Sequence, residues 1–518
     1  MVETVTGTDR SSGISYQELL DEDSHPVPEI MRMQSPLPPG PTRVPASQYF
    51  DPAFHQLEVE RLWKRVWQMA CHEDDIPEVG DYEIYEIAHL SFLIVRTAEN
   101  TFKAFHNACL HRGRMLKTHG GKRAREFRCA FHGWAWHTDG RLKEVPCHWD
   151  FPTVTESEYS LPEVKLGRWG GFIFINPNPD AEPLEDFLGN LSDQFPNLPY
   201  ERRYKAAHVS KVLRCNWKIA QEAFSEAYHV IATHPTILDS IGDANSQYDV
   251  FGNYCRAMSP NYTPSPHIER EFEPLEDARM YTRLRHPLTG HIYERTEDDC
   301  VRVINQRNEV SLFNPDGSWI EGPLTHADPN MCDWIGGKQL PDAKVVPLKP
   351  PPAVPRGQNL RQVIAEPVRE GFRAVLGDTM DQVSDAELLD AIYLTVFPNF
   401  HPWGSFNQIV YRFRPNGDNP EECIMECIYM APAPKGEPRP AAAPVHKLGP
   451  DDDWVDAPEL GMLAKVFNQD VVNMPEVQRG LKMLKVPEII FANYGETKPR
   501  HFHLLLDQWL SEDAVTVR

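Results

Sequence analysis

The sequence predicts an α+β protein in two unlike parts, a small all-β domain followed by a larger domain of antiparallel sheet flanked by helices. Three observations carry this prediction. Short β-rich runs separated by turn residues crowd the segment 82–176. Strand-like runs return at 393–430 after a long polar stretch. Helical apolar patterns then close the chain at 459–484 and 501–510. No internal repeat is visible.

Taken in order, residues 1–45 are polar and then proline-rich, from Pro36 to Pro41, and are expected to form a loosely ordered arm. Residues 51–69 carry a helical apolar pattern through Phe54, Leu57, Leu62, Val66 and Trp67. Tyr82 to Ile87, Ser91 to Thr97 and Thr101 to His106 read as strands, and Asp139-Gly140 is a hairpin signal. Arg168 to Asn176 closes the β-rich region, which places a first domain at 46–190 and a second at 191–518. Asp186 to Phe195 reads as a linking helix, and His208 to Trp217 as a strand feeding the next helix. Residues 245–390 are weakly periodic, polar and proline-rich, with Lys349 to Pro352 inside, and are expected to be a long insertion. Tyr393 to Phe397, Gln408 to Arg414 and Glu422 to Met430 read as strands. Pro415 to Pro420 turns between the last two, and Pro432 to Pro444 forms a loop.

The totals exclude several classes. A chain of 518 residues can bury a large core in more than one domain. A net charge of −23 argues against nucleic acid or an anionic membrane as partner. No apolar run is long enough to cross a bilayer, and the polar, acidic Met1 to Arg10 lacks the apolar core of a signal peptide. Ten scattered cysteines suit a reducing cytoplasm, with thiols free or bound to metal.

Two stretches carry chemistry. The first holds Cys109-Leu110-His111, then seventeen residues, then Cys129-Ala130-Phe131-His132. Two thiols and two imidazoles in paired loops can hold zinc or a [2Fe–2S] cluster. In the cluster, two thiolates hold one iron and two imidazoles the other, which raises the reduction potential. Zinc ribbons usually show two Cys-x-x-Cys pairs instead.

The second stretch runs from Asn216 to Pro235 and contains Glu226, His229 and His234. Two imidazoles and a carboxylate on one face of Fe(II) leave positions open for O₂ and substrate. Glu226 and His229 are three apart, so a helix puts them on one face. His229 and His234 are five apart, about 140° around a regular helix. Both reach one metal only where the helix is distorted or ends, and Pro235 fits an ending. The plain alternative is an amphipathic helix with two incidental histidines.

In spacing and order these motifs resemble the α subunit of a Rieske non-haem iron oxygenase, in the superfamily of aromatic-ring-hydroxylating dioxygenases and carnitine oxygenases. The likeness covers residues 46–235 and, more loosely, 390–510. It implies a Rieske [2Fe–2S] domain carrying Cys109, His111, Cys129 and His132, then a helix-grip, START-like catalytic domain. Arg114 and Phe131 stand where the respiratory type has a disulfide, which implies the lower-potential centre of oxygenases and their ferredoxins. It also implies a mononuclear Fe(II) held by His229, His234 and a C-terminal aspartate that precedes a Gln-x-Gly. Gln478-Arg479-Gly480 supplies that marker, and Asp470 lies eight residues before Gln478; Asp451, Asp452 and Asp453 are the alternatives.

Most members carry aspartate three residues before the first ligand histidine. Here that position is Glu226, as in a branch that includes carnitine oxygenases. The family's carboxylate at this position connects the iron to the cluster of the neighbouring subunit. The resemblance thus implies a head-to-tail homotrimer, or a trimer-based hexamer, in which His132 of one copy meets Glu226 of the next. It further implies electrons from a reductase or ferredoxin, with NAD(P)H as ultimate donor, and mono- or dioxygenation of an aromatic or apolar small molecule by O₂. Two other classes stay open: a Rieske electron carrier with an inert extra domain, and a zinc-stabilised binding module.

Overall fold

A computed structural model describes residues 11, 13–341, 351–434, 436 and 438–511. The polar start Met1 to Arg10 and Lys349-Pro350 of the proline run lie outside the described residues. The fold is α+β, with an N-terminal β domain and a catalytic-type domain of sheet and helices.

The N-terminal sheet has six antiparallel strands, in the order Gln68–His72, Phe172–Asn176, Glu163–Trp169, Thr101–His106, Leu90–Ala98, Tyr82–Ile87. The hairpin between Glu163–Trp169 and Phe172–Asn176 turns on Gly170 and Gly171, at φ +59° and +84°. A two-residue turn of this hand needs positive φ at both positions, which is why glycine occupies both. A small sheet of Phe127–Arg128, Ala135–Trp136 and Leu142–Glu144 projects from this domain. Its own apolar core includes Leu93, Val95, Phe105, Phe127, Trp134 and Trp136, with Cys109 and Cys129 buried among them.

The second domain is built on eight strands ordered Gln247–Phe251, Tyr254–Ser259, Ala391–Val396, Phe400–Pro402, Ile409–Asn416, Asn419–Pro432, Arg203–Leu213, His446–Leu448. All pair antiparallel except the last, which runs parallel to Arg203–Leu213. Helices Trp217–Ala223, Leu463–Leu481 and Thr497–Leu510 cover it. The apolar core beneath them is continuous with the first domain's, since Trp217 packs edge-on against Trp63 at 5.0 Å and Phe400 against Phe172 at 5.0 Å. Lys218 and Glu58, both fully buried, pair across the same boundary at 2.5 Å.

Three expectations change. The expected insertion starts too early, because Gln247–Phe251 and Tyr254–Ser259 are strands of the central sheet. Their register partner is Ala391–Val396, so strand pairing across more than a hundred residues was invisible locally. Residues between these strands form a five-stranded sheet from Arg283 to Glu321 and a helix Pro329–Gly336, with a core of Leu284, Tyr293, Val303, Phe313, Met331 and Trp334. The arm from Gly13 onward is docked, not loose. Ser15 and Glu18 form a capping box on helix Tyr16–Asp21, and Tyr16, Leu19, Leu20, Ile30 and Met31 are buried. Five buried apolar side chains, the Tyr16 hydroxyl on Asp390 at 2.9 Å and Arg256 on the Ile30 carbonyl at 2.7 Å offset the ordering cost. Finally, Glu226 and His229 do not share a regular helix: Trp217–Ala223 ends at Phe224, and a single turn resumes at Val230–Thr233.

Candidate metal centres

Two matching loops frame the first centre. In one, the Cys109 N–H donates to the Arg114 carbonyl (2.8 Å) and the Gly113 N–H to the Cys109 carbonyl (2.9 Å). In the other, the Cys129 N–H donates to the Trp134 carbonyl (2.8 Å) and the Gly133 N–H to the Cys129 carbonyl (3.0 Å). Gly113 and Gly133 close these loops at φ +74° and +79°, a backbone that a side chain would strain.

Each loop aims backbone N–H groups at its own sulfur, those of His111 and Arg112 at Cys109 and those of Phe131 and His132 at Cys129. Burial opposes ionisation of Cys129, yet these donors and the Cys109 thiol hold it below the usual thiol range. His111 and His132 face one another with ring centroids 4.6 Å apart, and His111 lies flat on Trp134. Among the described residues the buried His111 Nδ1 has no hydrogen-bond partner, the condition of a donor atom awaiting an electrophile. Two adjoining thiols and two imidazoles on paired loops fit a [2Fe–2S] cluster with thiolates on one iron and imidazoles on the other. His132 is exposed, so one edge of this site faces outward, with the exposed ring of Phe131 against it.

The second centre forms where the helix breaks. His229 lies in the break, just ahead of Val230–Thr233, and His234 just after it, out of helical geometry before Pro235. Asp470 comes from the middle of helix Leu463–Leu481, two turns beyond its start, and is buried. Its Oδ1 lies 2.9 Å from His234 Nε2 and 3.6 Å from His229 Nε2. The three donor atoms all fall within 4.8 Å of one another. Two imidazoles and one carboxylate converging on a common point fit a facial triad for Fe(II).

Both Nδ1 atoms are engaged, His229 with Glu226 Oε1 at 2.6 Å and His234 with Gln469 Oε1 at 2.9 Å. Each ring therefore turns Nε2 to the centre. Burial would depress the His229 pKa, but Glu226, then Asp470, outweigh it and lift it to about 9. Glu226 also accepts the backbone N–H groups of Tyr228 and His229.

Gln478, the sequence marker, joins the metal-bearing elements. It accepts from the Asn216 N–H at 2.8 Å and donates to the Tyr49 carbonyl at 3.1 Å. Of the alternative aspartates, Asp451 pairs with Arg214, Asp452 accepts the Gly449 N–H, and Asp453 caps the turn Trp454–Asp456. Gln469 escaped the sequence reading, although an amide beside the chosen aspartate on a buried helix face was a usable signal.

Residues 66–155 match the Rieske [2Fe-2S] domain family, and residues 199–294 match the ring hydroxylating alpha subunit catalytic domain. The chain thus carries a Rieske domain and a ring-hydroxylating α-subunit catalytic domain, and its relatives are Rieske oxygenase α subunits. The chain is 33% identical over 191 residues to chlorobenzene dioxygenase subunit alpha of Cupriavidus sp. strain PS12, covering 36% of this chain and 42% of that one. It is 29% identical over 304 residues to the carnitine monooxygenase oxygenase subunit of Escherichia coli K12, covering 56% of this chain and 78% of that one. A structure of naphthalene 1,2-dioxygenase with indole bound shares the fold, with TM-score 0.54, 17% identity and 90% and 92% coverage. A [2Fe–2S] cluster and a mononuclear non-haem iron are the cofactors of this architecture. No described helix is long and apolar enough to cross a membrane.

Proposed function

We propose that this chain is the terminal component of an oxygenase that hydroxylates an organic small molecule. The observation that carries the reading is the convergence of His229, His234 and Asp470, with donor atoms within 4.8 Å, beside a break that frees both histidines. Cys109, His111, Cys129 and His132 would hold the cluster, and the triad the ferrous ion. Together these groups would supply one-electron transfer and O₂ activation, fed by a reductase or ferredoxin. We take 46–190 as the cluster domain and 191–518 as the catalytic domain, with the insertion starting after Ser259.

The chain's own residues prepare the site. Glu226 fixes the His229 ring and takes up charge there, and its neighbour Tyr228 stands 67% exposed on the same loop. In a head-to-tail trimer this exposed loop would receive the outward-facing His132 and Phe131 edge of another copy. Phe224 packs with Tyr411, Phe413 and Phe467, a core cluster that includes a residue of the helix carrying Asp470. An aromatic or apolar substrate is the reading in keeping with the likeness to chlorobenzene dioxygenase subunit alpha.

A second substrate class, quaternary ammonium compounds, is favoured by Glu226 at the bridging position and by the likeness to the carnitine enzyme.

Metal analysis and an aerobic screen test the reading. The purified protein is expected to be brown, to hold about three irons per chain, and to give a Rieske-type paramagnetic signal when reduced. With a surrogate reductase and substrates of both classes, product mass identifies the reaction. A colourless protein with stoichiometric zinc ends the reading, and about two irons per chain reduces it to an electron carrier.

A further inference from the structure

We propose that Gln469, anchored on the backbone of Asn330, is a tautomer lock on His234, through which the inserted segment becomes part of the iron site. The proposal rests on reading His229, His234 and Asp470 as iron ligands. Its logic starts from a group with one possible role. The Asn330 carbonyl can only accept, and it lies 3.1 Å from Gln469 Nε2. That contact requires the amide nitrogen on this side, which turns Oε1 to His234 Nδ1 at 2.9 Å. An amide oxygen can only accept, so Nδ1 carries a proton, which leaves Nε2, 2.9 Å from Asp470 Oδ1, as the ring atom that would take the metal. Flipping the amide would break both hydrogen bonds, the His234 one fully buried, and face like groups against each other. Gln469 is fully buried, so water cannot take over either contact.

Asn330 is itself held. It sits in the first turn of helix Pro329–Gly336, where Asp328 accepts its N–H. Its side-chain Nδ2 donates at 2.9 Å to the carbonyl of Ala232, in the turn between the two histidines. At the helix's other end, the buried Lys465 ammonium, from the helix that carries Asp470, donates to the carbonyls of Asp333 and Lys338 at 3.1 and 3.0 Å. Met331, Cys332, Trp334 and Ile335 root the helix in the core of the insertion. The insertion thus grips both metal-bearing elements. The two histidines also differ in kind: a carboxylate backs His229 and a neutral amide backs His234.

The test uses the full-length, iron-loaded protein and three variants, Gln469→Leu, Gln469→Met and Gln469→Glu. Leu and Met keep bulk and lose the acceptor; Glu keeps the acceptor and loses the donor. Leu and Met are expected to weaken retention of the mononuclear iron against a ferrous chelator by about 10- to 100-fold. They should also alter the paramagnetic spectrum of the ferrous–nitric oxide adduct, with the cluster spectrum unchanged. Glu is expected to hold iron at least about fivefold better than Leu, because the acceptor to Nδ1 survives. Wild-type iron retention and an unaltered adduct spectrum in Leu or Met would overturn the lock alone. Equal losses in Leu and Glu would overturn it in favour of plain packing. A wild-type chain with only the cluster's irons would overturn the iron reading and this proposal with it.

Discussion

Glu226 gathers three N–H groups on one carboxylate: the backbones of Tyr228 and His229, and His229 Nδ1 at 2.6 Å. An ionised carboxylate only accepts, so it can satisfy all three, whereas an amide would turn donors against donors. The residue works locally, orienting a metal-site histidine, and the proposed trimer would also set it at a subunit boundary. In Glu226→Gln both metal sites are expected to fill. Product formation should fall at least about tenfold, a barrier change of about 1.4 kcal/mol. Glu226→Asp keeps charge but loses about one methylene of reach, and should recover only part of the rate. Single-turnover measurement on pre-reduced enzyme decides the matter: wild-type cluster oxidation in Glu226→Gln would mean that this residue does not couple the two centres.

Among elements, the helix that leads into the metal site is fastened before it breaks. Asn216 caps it through the Lys218 N–H, and Lys218 reaches Glu58 in a helix of the N-terminal domain. Trp217 Nε1 donates to the same carboxylate at 3.3 Å. With both charges out of water, losing one partner leaves an uncompensated ion. Lys218→Met is expected to destabilise the fold by about 3 kcal/mol in guanidinium unfolding. Adding Glu58→Gln, which removes the stranded charge and keeps an acceptor for Trp217, should restore at least half of the loss. A double variant as unstable as the single would show that lost packing, not stranded charge, sets the cost.

At the scale of the whole molecule, the N-terminal arm ties itself to the far edge of the catalytic domain. Asp23 accepts the Ala386 N–H at 3.1 Å and lies 4.0 Å from Arg361. Burial, reinforced by Asp385 and Asp390, raises its pKa to about 7. A carboxyl raised on folding binds its proton more tightly in the folded state. Its contribution is whole below the ordinary carboxylate range and lost as pH rises through about 7. Asp23→Asn mimics the protonated form, so its advantage over wild type should grow from about pH 5.5 to about pH 8.5, reaching roughly 1 kcal/mol. Thermal unfolding at both pH values checks this. An advantage that shrinks with rising pH would reverse the assigned sign.

Much of this protein was legible because the signals are local. Strand alternation, the Asp139-Gly140 turn and the two closing helices lie within short windows, and the structure has strands and helices there, with the turn set between Ala135–Trp136 and Leu142–Glu144. Cys109, His111, Cys129 and His132 declared themselves by spacing, since each pair sits on one tight loop whose geometry its own glycine sets. The His229/His234 pair was visible for the same reason, together with Pro235 that stops the helix.

What the tertiary structure alone decided is contact between distant segments. Asp470 meets His234 across 236 positions, and only the family likeness pointed to it beforehand. Gln469 became a partner of His234 because helix Leu463–Leu481 presents that face to the broken turn, and Asn330 joined because the insertion folds over both. Gln247–Phe251 and Tyr254–Ser259 belong to the central sheet because Ala391–Val396 lies beside them, and the arm is ordered because a buried surface receives Tyr16 and Leu20. Local propensity is written in neighbouring residues, but burial is shared between segments, and its free energy exists only once both are in place.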